Sequence, residues 1–399
     1  MNSKERLEDL AAFGGQAAFS EVLHVGRPNV GDRARFMARV EDVLDRRWFT
    51  NHGPLVADLE TKLATLLGVR HCLLACNATI ALQMTIRALG WTGEVIVPSF
   101  TFVATAHALA WQEVTPVFCD VDPKTHNLDP KEIEALITPL TSGIIGVHVW
   151  GRPCDVDAID LIAKKHGLTV LYDAAHAFAC SHKDRKIGAF GNAEVFSFHA
   201  TKFFNTFEGG AITTNDDALA EKLRLIRNFG FVGADDVQEL GINGKMCEMS
   251  AAMGLTLLES LDVLLDTNRR NYEAYQRGLA SIPGLSLMQY DASNGNNYQY
   301  IVVAVDAAVY GCSRDRLVEV LHKENVRARR YFYPACHRME PYRSREPVPR
   351  RPLPATEALA ASLMTLPTGT AVGSAEIETI CRILRLAQRI GSVGTSASR

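Results

Sequence analysis

The chain has 399 residues, 47% of them hydrophobic and 22% charged, with a formal net charge of −3. The length asks for two domains, or one large domain with an appendage, and the composition is that of an ordinary globular protein with no run of transmembrane length. So small a charge offers no broad basic field to nucleic acid or an anionic membrane, and neither is expected as a partner.

Met1 to Arg6 precede no apolar core of signal-peptide type. The first 30 residues, with Gly14-Gly15 and Gly26-Arg27-Pro28-Asn29, read as a surface arm. Phe36, Val40, Val43 and Leu44 recur at helical spacing over 31–45. Trp48 to Pro54 is a turn. A second helix over 55–67 is closed by Gly68 as its C-cap. An α/β rhythm then begins, with strands over 71–76, 94–98, 115–121, 144–149 and 169–173. Helices over 80–89, 101–111 and 157–165 alternate with them. Apolar strands alternating with helices predict a mostly parallel sheet covered on both faces. Helix signals return over 216–228, and one long helix is predicted over 248–275. Beyond Pro283-Gly284 come a strand over 298–305, a helix over 314–324 and a strand over 326–333. A Pro/Arg-rich loop over 347–354, a last helix over 374–390 and a mobile tail over 391–399 complete the chain. The expected division is an arm over 1–30, a large domain over 31–260 and a smaller α/β domain over 261–399.

Nine cysteines, an odd number without CxxC spacing, lie scattered and partly inside apolar runs. They read as buried free thiols of a reducing, cytoplasmic compartment, and no metal site is indicated.

In a mostly parallel sheet the ligand sits beyond the carboxyl ends of the strands. Four features gather there. Asn77-Ala78-Thr79 opens a helix after a strand; its unpaired N–H groups suit a phosphate, although a plain N-cap is the commoner use. Asp173 ends a strand, where it can pair with a protonated ring nitrogen or simply cap the next helix. Phe102, within Pro98 to Thr105, can stack on a flat heteroaromatic ring or pack in the core. Lys202, among Phe196, Phe198, Phe203, Phe204 and Phe207, is placed for desolvation, which lowers an ammonium's pKa and makes the amine a nucleophile toward aldehydes. Ser197 precedes it and Glu208-Gly209-Gly210 comes after it. An imine lysine, an acid for a pyridine nitrogen, a phosphate cup and a stacking ring are together what pyridoxal 5'-phosphate requires.

At this point the chain resembles the DegT/StrS sugar-nucleotide aminotransferases, a branch of the fold-type-I pyridoxal-phosphate enzymes. The resemblance runs from Thr50-Asn51-His52-Gly53-Pro54 to the final helix. It is carried by Pro98 to Thr105, Val117 to Asp122, Asp173-Ala174-Ala175-His176, Ser197 to Lys202, Glu208-Gly209-Gly210 and Gly241 to Met246. It implies that Lys202 bonds the cofactor aldehyde and shuttles the proton, that Asp173 pairs with the pyridine nitrogen, and that His176 lies by the cofactor hydroxyl. Phe102 would stack on the ring, and Ala78, Thr79 and Ser197 would hold the phosphate. Asn243 would reach the phosphate of a neighbouring subunit, so the enzyme would be a homodimer with shared active sites.

The chain departs from the pattern in Cys76-Asn77-Ala78-Thr79, where many relatives have Ser-Gly-Thr-Ala, and in Lys245, where many have an arginine that can grip an anion bidentately. The implied reaction moves an amino group from L-glutamate to a nucleotide-linked keto-deoxysugar. The segments Phe13-Gly14-Gly15, Leu23 to Pro28 and Gly241 to Met253 resemble the subgroup that aminates C4 of dTDP-4-keto-6-deoxyglucose. Trp150, Asn205, Lys245, Tyr331 and Tyr333 are candidates near the sugar. The alternatives are a 3-ketosugar substrate, a sugar dehydratase on the same fold, which would carry histidine in place of Lys202, and a non-catalytic regulator.

Overall fold

The computed structural model of the chain describes residues 2–344 and 350–390. Its centre is a seven-stranded sheet built from β2 (His71–Ala75), β3 (Glu94–Pro98), β4 (Thr115–Cys119), β5 (Thr141–Val147), β6 (Thr169–Asp173), β9 (Ala193–Ser197) and β10 (Gly210–Thr214), in the order β2-β10-β9-β6-β5-β3-β4. β10 is antiparallel to both its neighbours. The pairs β3–β4, β3–β5, β5–β6 and β6–β9 are parallel. Val95, Ile96, Val97, Ile144 and Ile145 are all buried, because helices cover both faces of the sheet.

The first helices are α1 (Arg33–Arg46), α2 (Pro54–Leu67), α3 (Ala78–Ala88) and α4 (Val103–Ala110). α2 buries Val56, Leu59, Leu63 and Leu67, one stripe at helical spacing. Each leucine so buried is worth about 2 kcal/mol. Gly68 ends the helix in the left-handed conformation with φ 65°, where glycine has no steric cost. Next come a short α5 (Pro130–Ile133) and α6 (Val156–His166), then a hairpin of β7 (Ser181–His182) and β8 (Arg185–Lys186), then α7 (Asp217–Arg227).

The long helix predicted over 248–275 is two helices, α8 (Glu248–Leu258) and α9 (Leu261–Leu279). Ser260, at φ −106° and ψ 8°, leaves the helical geometry between them. The two need different surroundings: α8 is buried on every side, whereas α9 buries one face. Apolar spacing alone joins them, because Leu257, Leu261 and Leu264 stay buried across the break.

The C-terminal part carries β11 (Leu285–Leu287), β12 (Ile301–Val305), α10 (Ala307–Tyr310), α11 (Arg314–Lys323), β13 (Val326–Arg327), α12 (Glu340–Arg343), α13 (Pro354–Ser362), β14 (Leu363–Leu366) and α14 (Ser374–Ala387). β11, β12 and β14 form a separate three-stranded sheet. The strand predicted over 326–333 pairs over two residues only, with β1 (Leu23–His24) of the arm. Further on it meets β14 through one bridge, Arg329 to Thr365. Of the Pro/Arg-rich loop, 347–349 lie outside the described residues and Pro354 opens α13; the tail 391–399 also lies outside them. Among the described residues no helix is long and apolar enough to cross a membrane.

Candidate active site

The carboxyl ends of β2, β6 and β9 meet the start of β10 on one edge of the large sheet, and the site is built there. At its polar end, Asn77 caps α3 by accepting the N–H of Ile80 at 2.8 Å. The N–H groups of the first turn, at Ala78 and Thr79, have no partner within the helix. Gly210 lies against them; a Cβ at that position would stand 2.7 Å from the Ala78 nitrogen. Ser197 ends β9, and its Oγ accepts the His199 N–H at 3.4 Å, which leaves its own hydrogen to donate. A helix N-terminus, a glycine that clears it and a hydroxyl make a cup for an anion.

Lys202 sits in the loop between β9 and β10, two strands the sequence reading did not delimit. The loop is tied at its base by Phe198 N–H to the Gly209 carbonyl at 2.9 Å and Thr206 N–H to the Phe198 carbonyl at 2.8 Å. Phe198, Phe203 and Phe204 are buried around Phe178. The aromatic residues of the motif thus hold the loop from below, and they leave the amine on the site side. Its Nζ donates to the Tyr300 hydroxyl at 2.9 Å. Burial lowers the Lys202 pKa, only partly opposed by Tyr331 and Asp173.

Asp173, at the end of β6, is 6% exposed. One oxygen accepts the Thr105 hydroxyl at 2.7 Å and the other the Ala175 N–H at 3.0 Å. Burial still raises its pKa, because those two bonds offset the desolvation incompletely. A cation placed against it would stabilise the ionised form. His176 is buried and accepts the Trp150 N–H on Nδ1 at 3.2 Å, so in the neutral ring Nε2 carries the hydrogen. Burial holds its pKa well below the ordinary value, and the ring stays neutral. Its ring lies beside those of Trp150 and Phe332, with centroids 5.8 and 6.0 Å away and nearly parallel planes.

The other expected residues divide. Phe102 is 49% exposed at the start of α4, and no protein ring covers it among the described residues. Tyr331 joins the cluster, its hydroxyl pushed up to about 12 by burial. Trp150 is fully buried, with its indole N–H on His126 at 3.1 Å; it supports His176 from behind and presents no face to a sugar. Asn205 is also buried and spans from the Asn29 carbonyl to the Phe207 N–H, fastening the arm to the lysine loop. Tyr333 points outward between Arg314 and Arg330. Asn243 is exposed, and Lys245 donates to Asn228 at 2.8 Å and lines a different cavity of about 430 Å³ with His52, Glu60 and Arg227. The sequence reading gave no role to Tyr300 or Thr105, although both stand inside segments it quoted. Neither has a local signal, since each meets its partner across a long stretch of chain.

These residues fit pyridoxal 5'-phosphate. The anion cup, the buried carboxylate short of a cation, the uncovered phenyl ring and the desolvated lysine each match one part of that molecule.

A family model described as the DegT/DnrJ/EryC1/StrS aminotransferase family matches residues 31–385. A dTDP-4-amino-4,6-dideoxy-D-glucose transaminase from Shigella dysenteriae is 40% identical over 320 residues, 80% of this chain and 87% of that protein. One of the same name from Escherichia coli is 36% identical over 367 residues, 91% of this chain and 98% of that protein. The crystal structure of DesI, solved in the presence of its TDP-sugar product, superposes with a TM-score of 0.94 at 49% identity, covering 98% of this chain and 100% of that one.

Proposed function

The chain belongs to the DegT/DnrJ/EryC1/StrS aminotransferase family, and we propose that it aminates C4 of dTDP-4-keto-6-deoxy-D-glucose to give dTDP-4-amino-4,6-dideoxy-D-glucose. We further propose L-glutamate as donor and the cytoplasm as its place of work, in deoxyaminosugar biosynthesis. The carrying observation is Lys202: an amine whose pKa burial lowers, held on Tyr300, in the field of the buried Asp173, in a chain whose relatives bear that transaminase name.

When bound, pyridoxal 5'-phosphate supplies the electron sink and carries the amino group between the two substrates. Ala78, Thr79 and Ser197 would hold its phosphate, Asp173 its ring nitrogen, His176 Nε2–H its hydroxyl, and Phe102 one face of its ring. Thr105 fixes the Asp173 carboxylate in one orientation. Lys202 Nζ takes the proton from Cα of the amino donor in the first half-reaction. It delivers a proton to C4 of the sugar in the second. Burial favours both transfers, because it lowers the Lys202 pKa below its ordinary value.

We also propose that the chain works as a homodimer. Met37, Leu44, Trp48, Phe49, Leu240 and Ile242 are exposed apolar side chains of the kind an interface covers. Asn243 and Lys245 would then serve the neighbouring site. Mixing Asn243→Ala with Lys202→Ala protein tests this: two weak parents should give partial activity, whereas additive parental rates argue against shared sites. The expected division into 31–260 and 261–399 stands as a proposal alongside, supported by the separate sheet of β11, β12 and β14.

The function is tested by turnover with L-glutamate across 3-keto and 4-keto sugars linked to dTDP and UDP. The 4-keto-6-deoxyglucose of dTDP should give the highest kcat/KM. A preference for a 3-keto sugar would contradict the C4 assignment.

A further inference from the structure

A second cavity, of about 370 Å³, opens beside the lysine loop. Its walls come from remote parts of the chain: His24 on β1, Thr201, Gln299 and Tyr300 before β12, Arg327 on β13, and Arg329 and Tyr331 after it. The parallel pairing of His24 with Arg327 holds two of these walls together. Lys202 meets the cavity through Tyr300.

Its electrostatics are one-sided. None of the described residues lining it is acidic. Arg329 lies over the Tyr331 ring at 4.8 Å, and neither it nor Arg327 has a carboxylate partner among the described residues. The adjacent Arg330 differs, since it meets Asp315 at 3.5 Å. Gln299, 8% exposed, accepts the Phe203 N–H on its oxygen, and its buried Nε2 donates to nothing. Buried polar groups are normally satisfied. A donor without an acceptor and two cations without an anion call for the same missing partner: oxygens carrying negative charge.

We propose that this cavity is the subsite for the α-carboxylate of the amino donor, with Arg329 as its ionic partner. The proposal rests on the transaminase reading above. Connectivity selects the donor over the nucleotide. The α-carboxylate is one bond from the carbon that must reach Lys202. The diphosphate of the sugar leaves from C1, across the ring from C4. A basic wall next to Lys202 therefore faces the small acid. Arg329 also adds its charge to the forces that lower the Lys202 pKa, after burial itself, and a bound carboxylate would neutralise that contribution.

Arg329 is exposed, so Arg329→Leu and Arg329→Lys should fold. The two half-reactions are followed separately, L-glutamate with the pyridoxal form and nucleotide sugar with the pyridoxamine form. Arg329→Leu should raise the KM for glutamate by about tenfold to a hundredfold, the range of a lost charge-assisted bond, and leave that for the sugar within about twofold. Arg329→Lys should lie between, because it keeps the charge without the fork. In parallel, calorimetry of 2-oxoglutarate with the cofactor-free protein should show binding to wild type that weakens in Arg329→Leu and Arg327→Leu. An unchanged KM for glutamate overturns the proposal, as does a shift confined to the sugar, which would make the anion a phosphate. A wild type that aminates no ketosugar sinks the transaminase reading instead; the 2-oxoglutarate titration still judges the subsite.

Discussion

Two lysines of this chain, Lys4 buried and Lys202 partly buried, are treated by the fold in opposite ways. Lys4, 1% exposed, is fully occupied: its Nζ meets Glu324 at 3.0 Å and donates to the carbonyls of Asp9 and Gln16. Glu324 in turn accepts the N–H groups of Ala11 and Ala18 at 2.6 and 2.7 Å. That pair staples the arm to the end of α11. Lys202 has one neutral acceptor, Tyr300, and no ion pair among the described residues. The nearest anion, Asp173, acts on it at a distance and is itself spent on Thr105 and Ala175. A buried charge with all its partners is structure; one left short of them is available for chemistry.

The contrast sharpens into four expectations. The largest is at Lys202 itself. Lys202→Ala should lower transamination by at least about 10³-fold, the scale of a lost general base. The cofactor-free variant should be no less stable than wild type, since an underpartnered group is what it loses. Asp173→Asn comes next, with a fall of about 10²-fold in kcat for want of charge on the ring nitrogen. Its stability should move the other way. The native Asp173 pKa lies above the ordinary 3.8, so the folded state holds its proton where the unfolded state has released it. This carboxylate therefore costs stability as pH rises through that window. Asp173→Asn should melt higher than cofactor-free wild type above the window and equally below it. The Lys202 shift has the opposite slope: its native pKa lies below 10.5, so the unfolded state binds the extra proton and stability rises with pH across that interval.

At Lys4 the prediction reverses. Lys4→Ala leaves Glu324 buried without its cation and should cost about 3 kcal/mol, read as a lower denaturation midpoint and faster exchange of the arm's amides. Its effect on kcat should be small beside that of Lys202→Ala; an equal loss would mean that the two lysines are not opposites. The smallest effect is expected of Tyr300→Phe, which removes the amine's acceptor. A change in kcat of about tenfold, with the alkaline limb of its pH profile displaced, would mark a positioning role; an unaltered profile would assign Tyr300 to packing.

The same division governs what could be read from the sequence. The strand-end positions of Asp173 and Ser197, and the loop position of Lys202, were legible because such ends are written within a few residues: an apolar run, then a polar residue, then a turn. The sheet was legible for that reason too, since β2 to β6 are short buried runs between helices. β9 and β10 escaped because the lysine motif overlies their ends and draws the eye to chemistry instead of to alternation. Tyr300 and Thr105 carried no signal, because their meaning lies in who they meet: Tyr300 stands 98 residues from Lys202 and Thr105 stands 68 from Asp173. Trp150 and Asn205 differ in the other direction, since both side chains are buried. Each stands beside the site in sequence yet is turned into the protein, behind His176 and under the arm.

The central claim, that the fold lowers the Lys202 pKa and leaves its amine available, is tested most directly by competitive amine labelling of the cofactor-free protein across pH, read residue by residue by mass spectrometry. Lys202 should titrate below the ordinary lysine value of 10.5, with a reagent small enough to enter, and Asp173→Asn should lower it further by removing a nearby negative charge. A Lys202 that titrates at or above 10.5 would contradict the account.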